Sequence, residues 1–264
     1  MIARTLAGFA LAATIAVAAR AARSLTTSGA IAATLVGTVA VAAGWGWGVL
    51  LIAYFVSSSA LSHAGRAAKT LRTRSVVGKT GARDATQVLA NGGVFALAAL
   101  VGIVHHGAAW MAAGAGALAA SAGDTWGTEI GTLYGGTPRS IVTLRRVPPG
   151  TSGGVSVIGT MSSILGACFV AALALALHWG TRAAAAALAG GVAGALADSV
   201  IGATLQVRRR CAACDVETER VRHDCGAPTV HARGIAWLDN DGVNLLATLA
   251  GALLAASLAA SLAP

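Results

Sequence analysis

The stretch Ser121-Ala-Gly-Asp-Thr-Trp-Gly-Thr-Glu-Ile-Gly131 sets two carboxylates at the end of a long apolar run. A charged side chain is costly in hydrocarbon, so Asp124 and Glu129 indicate a polar site rather than contact with lipid. Three further polar clusters occur at other apolar runs, at residues 150–156, 198–199 and 237–244. The sequence therefore predicts that four polar clusters converge on one site.

Composition identifies the class of protein. Of the 264 residues, 56% are hydrophobic and 11% are charged, with a mean hydropathy of +0.72, whereas soluble proteins carry about 25% charged residues. This is the composition of an integral membrane protein, and its 34 glycines fit closely packed transmembrane helices. No stretch is polar and long enough for a second domain, so one transmembrane domain over 1–264 is expected.

The apolar runs predict how the chain crosses the membrane. Runs of about 17–25 residues can span a bilayer, and they predict an all-α polytopic protein with eight transmembrane helices near 2–19, 28–44, 47–62, 86–104, 108–123, 156–178, 183–206 and 241–262. With both termini outside, the cytoplasmic side holds all 19 Lys and Arg residues except Arg4 and Arg182. The longer cytoplasmic loops lie near 63–85, 124–155 and 207–238. The net charge of +9 then follows the positive-inside rule of a bacterial-type inner membrane and does not indicate nucleic-acid binding.

Three carboxylates are candidate magnesium ligands. Asp124 and Glu129 lie where the fifth predicted helix meets the cytoplasm, and Asp198 lies inside the seventh apolar run. A carboxylate in that position is expected to face a cavity or a cation, and Mg²⁺ takes oxygen ligands while bridging substrate phosphates. Alternatively, Asp124 caps a helix and Glu129 is a solvated interfacial charge.

A glycine-rich segment opens into the sixth predicted helix and is a candidate cradle for a triphosphate. Such a turn presents backbone N–H groups, and the helix N-terminus adds a partial positive charge. The hydroxyl groups and two preceding arginines supply further donors. The segment and its flanking cations are Arg145, Arg146, Gly150, Thr151, Ser152, Gly153, Gly154 and Ser156. An ordinary N-cap after a proline-containing loop is the alternative.

Two more polar segments complete the predicted site. Residues 78–80 lack the spaced glycine and the preceding strand of a P-loop, so Lys79 and Arg83 either bind a phosphate or belong to a basic loop that touches anionic lipid. Asp239, Asp241 and Asn244 enter the last predicted helix. Carboxylates at several helix ends, together with a glycine-rich turn and arginines, favour metal-assisted transfer of a phosphorus group.

Soft ligands occur together in a separate cytoplasmic loop. Cys211-Ala-Ala-Cys214 is followed by His223 and Cys225. This spacing is compatible with structural zinc. Reduced free thiols are the alternative, and a disulfide is disfavoured in the cytoplasm.

The order of these motifs resembles the DUF92 family of integral membrane proteins, which includes the transmembrane protein 19 group and the plant phytyl-phosphate kinases. The similarity covers about residues 25–262 and runs through Gln87-Val-Leu-Ala-Asn-Gly92 and the segments 124–131, 150–156, 198–206 and 237–244. Where many members have Thr-Asn-Gly-Gly, this chain has Thr151-Ser152-Gly-Gly, so a hydroxyl replaces an amide. The resemblance implies a polytopic enzyme that phosphorylates an isoprenyl monophosphate, with CTP or another nucleoside triphosphate such as ATP as the donor.

The residues and the resemblance together give a working hypothesis, a cytoplasm-facing isoprenyl-phosphate kinase. Asp124, Glu129 and Asp198 would hold Mg²⁺, the glycine-rich turn would cradle the triphosphate, and Asp239 and Asp241 would complete the metal site or position the acceptor phosphate. One alternative is a cytidylyltransferase that joins CTP to a lipid phosphate. Another is a cation-coupled transporter, because carboxylates inside a membrane also line ion paths.

Overall fold

A computed structural model describes residues 1–105 and 107–261 and shows a predominantly helical protein. The helices in this part of the chain are α1 (Ile2–Ala21), α2 (Thr27–Ala43), α3 (Trp45–His63), α4 (Arg66–Thr73), α5 (Ala85–Val104), α6 (Ala108–Tyr134), α7 (Val157–Ala176), α8 (Thr181–Thr204) and α9 (Asn240–Ser261). The strands are β1 (Arg139–Ser140), β2 (Gly154–Val155), β3 (Arg208–Cys211), β4 (Val216–Thr218) and β5 (Thr229–Arg233).

Six of the described helices are long and apolar enough to cross a membrane, namely α1, α3, α5, α7, α8 and α9. Helix α2 is also apolar but has 17 residues. The helical, membrane-embedded class is as predicted. The number of crossings and the side of the termini stay predictions, and the end of the last predicted span, at 262, lies outside the described residues.

Helix α6 forms the centre of the bundle and packs against α5, α7, α8 and α9. Its residues 112–123 are all buried, and most of them are alanine or glycine. A Cβ added at Gly116 would lie 2.6 Å from the carbonyl oxygen of Gly251 and 2.6 Å from the Cβ of Ala255. The backbones of α6 and α9 therefore touch, which only small residues permit.

The predicted loop at 124–155 is wrong in its first part, because α6 continues to Tyr134. No proline interrupts this segment, and it keeps packing on α7: a Cβ added at Gly127 would lie 3.1 Å from the carbonyl oxygen of Gly159. Asp124 and Glu129 consequently lie within a helix and not at its end.

The other two predicted loops also contain regular structure, so the all-α description was incomplete. Segment 63–85 contains α4, and segment 207–238 contains an antiparallel sheet in the order β4-β3-β5. The carbonyl oxygen of Val76 accepts a hydrogen bond from the Glu219 N–H at 2.9 Å and another from the Thr218 hydroxyl at 3.3 Å. The sheet is thereby attached to the chain that follows α4.

The two ends of the bundle differ in charge. Arg4 donates to the carbonyl oxygen of Ala42 at the end of α2, at 2.7 Å, and Arg182 lies in the first turn of α8. The rings of Trp47 and Trp179 contact each other at this same end, with centroids 4.8 Å apart. The remaining basic residues belong to segments at the opposite end, where α4 and the three-stranded sheet lie.

Candidate active site

A cavity of about 1180 Å³ lies at the basic end of the bundle. Side chains from α3 to α9 and from the three-stranded sheet line it. The lining contains residues of all four polar clusters: Asp124, Glu129, Gly150, Thr151, Ser152, Gly153, Gly154, Ser156, Asp198, Ser199, Asp239, Asn240, Asp241 and Asn244. Lys79 and Arg83 line it as well. The fold thus brings residues more than a hundred positions apart to one space.

Two carboxylates, on neighbouring helices, have no cationic partner among the described residues. Asp124 of α6 and Asp198 of α8 line the same cavity, where the two helices pack closely: a Cβ added at Gly123 would lie 3.2 Å from the Ala195 Cβ. Neither carboxylate forms an ion pair with a described residue. Thr128 hydrogen-bonds Asp124 at 3.4 Å. The Oδ2 atom of Asp198 is buried and accepts no hydrogen bond within 1–105 and 107–261. A buried oxygen without a donor is costly, so this pair is suited to a cation.

Glu129 is arranged differently. Lys69 of α4 forms an ion pair with it, and the Ser62 hydroxyl donates to it at 2.6 Å. Across the described ranges, the one set of three or more metal-ligating side chains at coordinating distance is the cysteine–histidine cluster. Glu129 thus pairs with Lys69 and is not grouped at coordinating distance with Asp124 and Asp198 among the described residues, and the magnesium site of these three carboxylates stays a prediction.

The glycine-rich turn packs against α8 beside Asp198. Gly153 has φ +75°, and a Cβ there would lie 2.6 Å from the carbonyl oxygen of Ser199 and 2.4 Å from the Cβ of Ala203. Ser156 is the N-cap of α7, and its hydroxyl accepts from the Gly159 N–H at 3.1 Å. The segment is thus both a helix cap and a tight turn at the cavity wall.

The turn already binds one anionic group, the carboxylate of Glu219. The Ser152 hydroxyl donates to Glu219 Oε1 at 2.6 Å, and Arg208 donates to the same oxygen at 2.7 Å. Arg208 also donates to the Ser152 carbonyl at 2.8 Å. Burial raises the pKa of Glu219, while the charge of Arg208 and the hydrogen bonds from Ser152 oppose that rise. Sequence analysis missed this pair, because nothing in the sequence shows that β3 lies beside the turn.

The two arginines predicted to complete the cradle lie elsewhere. Arg145 and Arg146 are exposed and do not line the cavity. The carbonyl of Arg145 accepts from the Ser140 N–H at 2.9 Å, and Arg146 forms a bridge with Arg139. Pro138 and Ile141 of the same segment line the cavity, but neither arginine does, so the prediction that both arginines lie at the cradle is wrong.

Lys79 links the loop before α5 to the start of α9. Its ammonium donates to Asp241 at 2.5 Å and to Asp84 at 3.1 Å. Burial lowers the pKa of Lys79, but the hydrogen bonds and charges of Asp241 and Asp84 outweigh it and raise the pKa overall. The other oxygen of Asp241, Oδ1, is buried and has no donor in the described part of the chain. Asp239 is a capping residue whose Oδ1 accepts from the N–H groups of Asp241 and Gly242, each at 3.1 Å.

Arg83 is a cavity cation that contacts neutral groups. It donates to the hydroxyls of Ser62 at 3.1 Å and Ser59 at 3.4 Å, and no carboxylate of residues 1–105 or 107–261 pairs with it. An apolar groove between α1, α2, α3 and α5 reaches Arg83, Gln87 and Asn91, which also line the cavity. Arg83 thus lies where the charged cavity and the apolar groove meet.

The soft ligands form a separate cluster on the three-stranded sheet. The ligand atoms of Cys211, Cys214, His223 and Cys225 all lie within 4.8 Å of one another. None of the four lines the cavity.

A bundle of apolar helices with a charged cavity at one end defines a class, the helical integral membrane proteins with a polar cavity. The model of one such family, described as integral membrane protein DUF92, matches residues 10–252. The chain belongs to the DUF92 family, which confirms the resemblance seen in its motifs.

Curated relatives cover most of the chain. It is 30% identical over 253 residues to Protein PGR of Arabidopsis thaliana, and the matched region covers 86% of each protein. It is 28% identical to an uncharacterized membrane protein of Methanocaldococcus jannaschii, over 88% of this chain and 84% of the relative. It is also 28% identical to Protein VTE6, chloroplastic, of Arabidopsis thaliana, over 88% of this chain and 64% of the relative. No solved structure matches.

Proposed function

We propose that the protein is an isoprenyl-phosphate kinase that transfers a phosphoryl group from a nucleoside triphosphate, CTP or ATP, to a membrane lipid monophosphate. The observation that carries this proposal is one cavity with both kinds of binding group. Asp198 and Asp241 each offer a buried oxygen that no described donor satisfies, and Arg83 offers a cation with which no described carboxylate pairs. A cation with bound phosphates complements the two carboxylate oxygens, and a phosphate complements the Arg83 guanidinium.

The acceptor binds at the junction of cavity and groove. Arg83 binds the monophosphate through its planar guanidinium, which suits phosphate oxygens. The isoprenyl chain lies in the apolar groove, whose lining includes Leu11, Ile15, Val36, Ile52 and Phe55. Arg83 lines both the cavity and the apolar groove, so the lipid headgroup and the isoprenyl chain can bind at the same time.

The donor binds on the α6–α8 side of the cavity. Asp124 and Asp198 would hold Mg²⁺, which would neutralise phosphate charge. Ser152 and Arg208, which bind the Glu219 carboxylate, are the donors for a nucleotide phosphate that takes over the position of Glu219.

The chain's own residues mainly position the donor and the acceptor and neutralise the charge of their phosphates. A phosphate monoester is already a nucleophile, so the reaction requires no strong general base, and positioning with charge neutralisation supplies most of the rate. Arg83 and Lys79 reduce the repulsion between donor and acceptor. Similarity of the motifs to the phytyl-phosphate kinases of the family supports this reaction, and the basic end of the bundle supports a cytoplasmic cavity in an inner membrane.

Product analysis tests the reaction. Detergent-purified protein is incubated with phytyl monophosphate, Mg²⁺ and either CTP or ATP, and the products are identified by mass spectrometry. Lipid diphosphate with a nucleoside diphosphate is expected. A CDP-lipid with pyrophosphate would instead indicate a cytidylyltransferase. No consumption of either nucleotide would overturn the proposal, and uptake into vesicles would then be measured to test a transporter.

Arg83→Gln tests the acceptor site. A lost charged hydrogen bond costs about 1.5–3 kcal/mol, so KM for the lipid phosphate should rise by about 10-fold to 100-fold while KM for the nucleotide changes little. The matched control is Arg145→Gln, an exposed arginine outside the cavity. Equal KM values in both variants would remove Arg83 from the acceptor site.

A further inference from the structure

We infer that the three-stranded sheet carries a structural Zn²⁺ bound by Cys211, Cys214, His223 and Cys225. The Sγ atoms of Cys211 and Cys225 are 3.6 Å apart, and His223 Nδ1 lies 3.3 Å from Cys225 Sγ. In a tetrahedral site with Zn–S near 2.3 Å and Zn–N near 2.0 Å, ligand atoms are about 3.5–3.8 Å apart. These two pairs are close to tetrahedral spacing, and all four ligand atoms lie within 4.8 Å of one another.

The chemistry of the four side chains selects zinc. All four cysteines of the chain are free thiols, and a separation of 3.6 Å between two sulfurs is far above the disulfide bond length of about 2.05 Å. Three thiols cannot all pair with one another, whereas three thiolates and one imidazole form a closed set of zinc ligands. Soft sulfur ligands also disfavour Mg²⁺, so this site is distinct from the carboxylates of the cavity.

The ligands come from both connections of the sheet. Cys211 ends β3, Cys214 lies in the turn to β4, and His223 and Cys225 lie between β4 and β5. One bound ion would therefore join the two connections at a single point. This arrangement is typical of zinc sites in small β-structures.

The sheet has little apolar core of its own. Three valines on or beside its strands, Val216, Val221 and Val230, are exposed. A unit that buries so little apolar surface requires another source of stability, and a metal supplies it. Zinc binding would thus supply stability that segment 207–238 does not obtain from apolar burial.

The zinc site would act on the cavity through the sheet, without touching the reacting groups. Glu219 and Arg208 extend from the sheet to the glycine-rich turn, and the Glu219 N–H holds Val76 at 2.9 Å. The ion would keep this wall of the cavity in place. The inference does not depend on which reaction the protein catalyses.

Zinc content of the purified full-length protein tests the inference. The protein is isolated in detergent through a tag that binds no metal, and metal per chain is measured by inductively coupled plasma mass spectrometry. About one zinc per chain is expected. Cys225→Ser should lose it, and Cys168→Ser, which changes the cysteine in α7, should keep it. Wild-type protein with no more zinc than Cys225→Ser would overturn the inference.

A second pair of variants covers the case in which Cys225→Ser fails to fold. His223→Cys supplies a fourth thiolate and should retain zinc, whereas His223→Ala should bind it weakly and release it to a chelator. Replacement of zinc by Co²⁺ in the wild type should give the visible absorption of a tetrahedral thiolate site. Octahedral Co²⁺ absorption, or equal zinc retention in both His223 variants, would contradict the assigned ligands.

Discussion

The two halves of α6 differ in what surrounds them. Residues 112–123 are buried among other helices, and Ser121 is the one polar side chain among them. From Asp124 to Tyr134 the same helix borders the charged cavity. The packed half therefore fixes the position of the carboxylates in the other half, because a helix held by backbone contacts cannot withdraw its charges from the cavity.

The polar half itself contains two kinds of carboxylate. Glu129 has its charge neutralised by Lys69, whereas Asp124 and Asp198 line the same cavity without an ion pair to any described cation. Glu129 therefore belongs to the structure that supports the site. Asp124 and Asp198 are the groups left to bind something else.

The largest effect on stability is expected when Glu129, in the polar half of α6, loses its cationic partner Lys69. Lys69→Met leaves the charge of Glu129 without a partner, and it also removes the hydrogen bond to the Leu61 carbonyl at 2.7 Å. Breaking such a pair costs about 3 kcal/mol, measured as the free energy of unfolding in mixed detergent micelles. The double variant Lys69→Met/Glu129→Gln should recover part of this loss. No recovery would show that the ion pair is not the cause.

A smaller loss of stability is expected from a substitution in the packed half of α6. Gly116→Ala places a Cβ 2.6 Å from the Gly251 carbonyl oxygen, and overpacking of this kind costs about 1–3 kcal/mol. Gly93→Ala is the matched control, because a Cβ there would lie 3.9 Å from Leu89 Cβ, an ordinary van der Waals contact. That variant should keep or raise the melting temperature, since alanine favours a helix by about 1 kcal/mol. Equal melting temperatures would contradict the close contact of α6 with α9.

The smallest effect is expected at the boundary of the two halves. The Tyr54 hydroxyl hydrogen-bonds Ser121 at 2.6 Å, and Ser121 donates to Asn91 at 2.6 Å. Tyr54→Phe removes one buried hydrogen bond and should cost about 1 kcal/mol of unfolding free energy. Tyr134→Phe, at the exposed end of α6, should change nothing measurable. A larger loss in Tyr134→Phe would contradict this account of the boundary.

Much of the architecture was predictable from sequence. Apolar length and composition identified the membrane class and the long helices, and an unpaired Asp198 in an apolar run indicated a cavity. The extent of α6 was not predictable, because Gly127 can either end a helix or let it approach a neighbour. Packing on α7 decides between the two.

The partners of the charged groups also could not be predicted from the sequence. Lys69 and Glu129 are 60 positions apart, and Ser152 and Glu219 are 67 apart. No local pattern links such residues. Arg145 and Arg146 were misplaced for the same reason, because proximity along the chain does not show which way a turn directs its side chains.

Turnover of Asp198→Asn tests the central claim most directly. Asp215→Asn is the control, because Asp215 is exposed and pairs with Arg210 outside the cavity. The proposed function predicts that Asp198→Asn lowers Mg²⁺-dependent formation of lipid diphosphate by about 100-fold or more, without lowering the melting temperature, since a buried charge has been removed. Activity equal to that of Asp215→Asn would contradict the claim that the cavity between α6 and α8 is the active site.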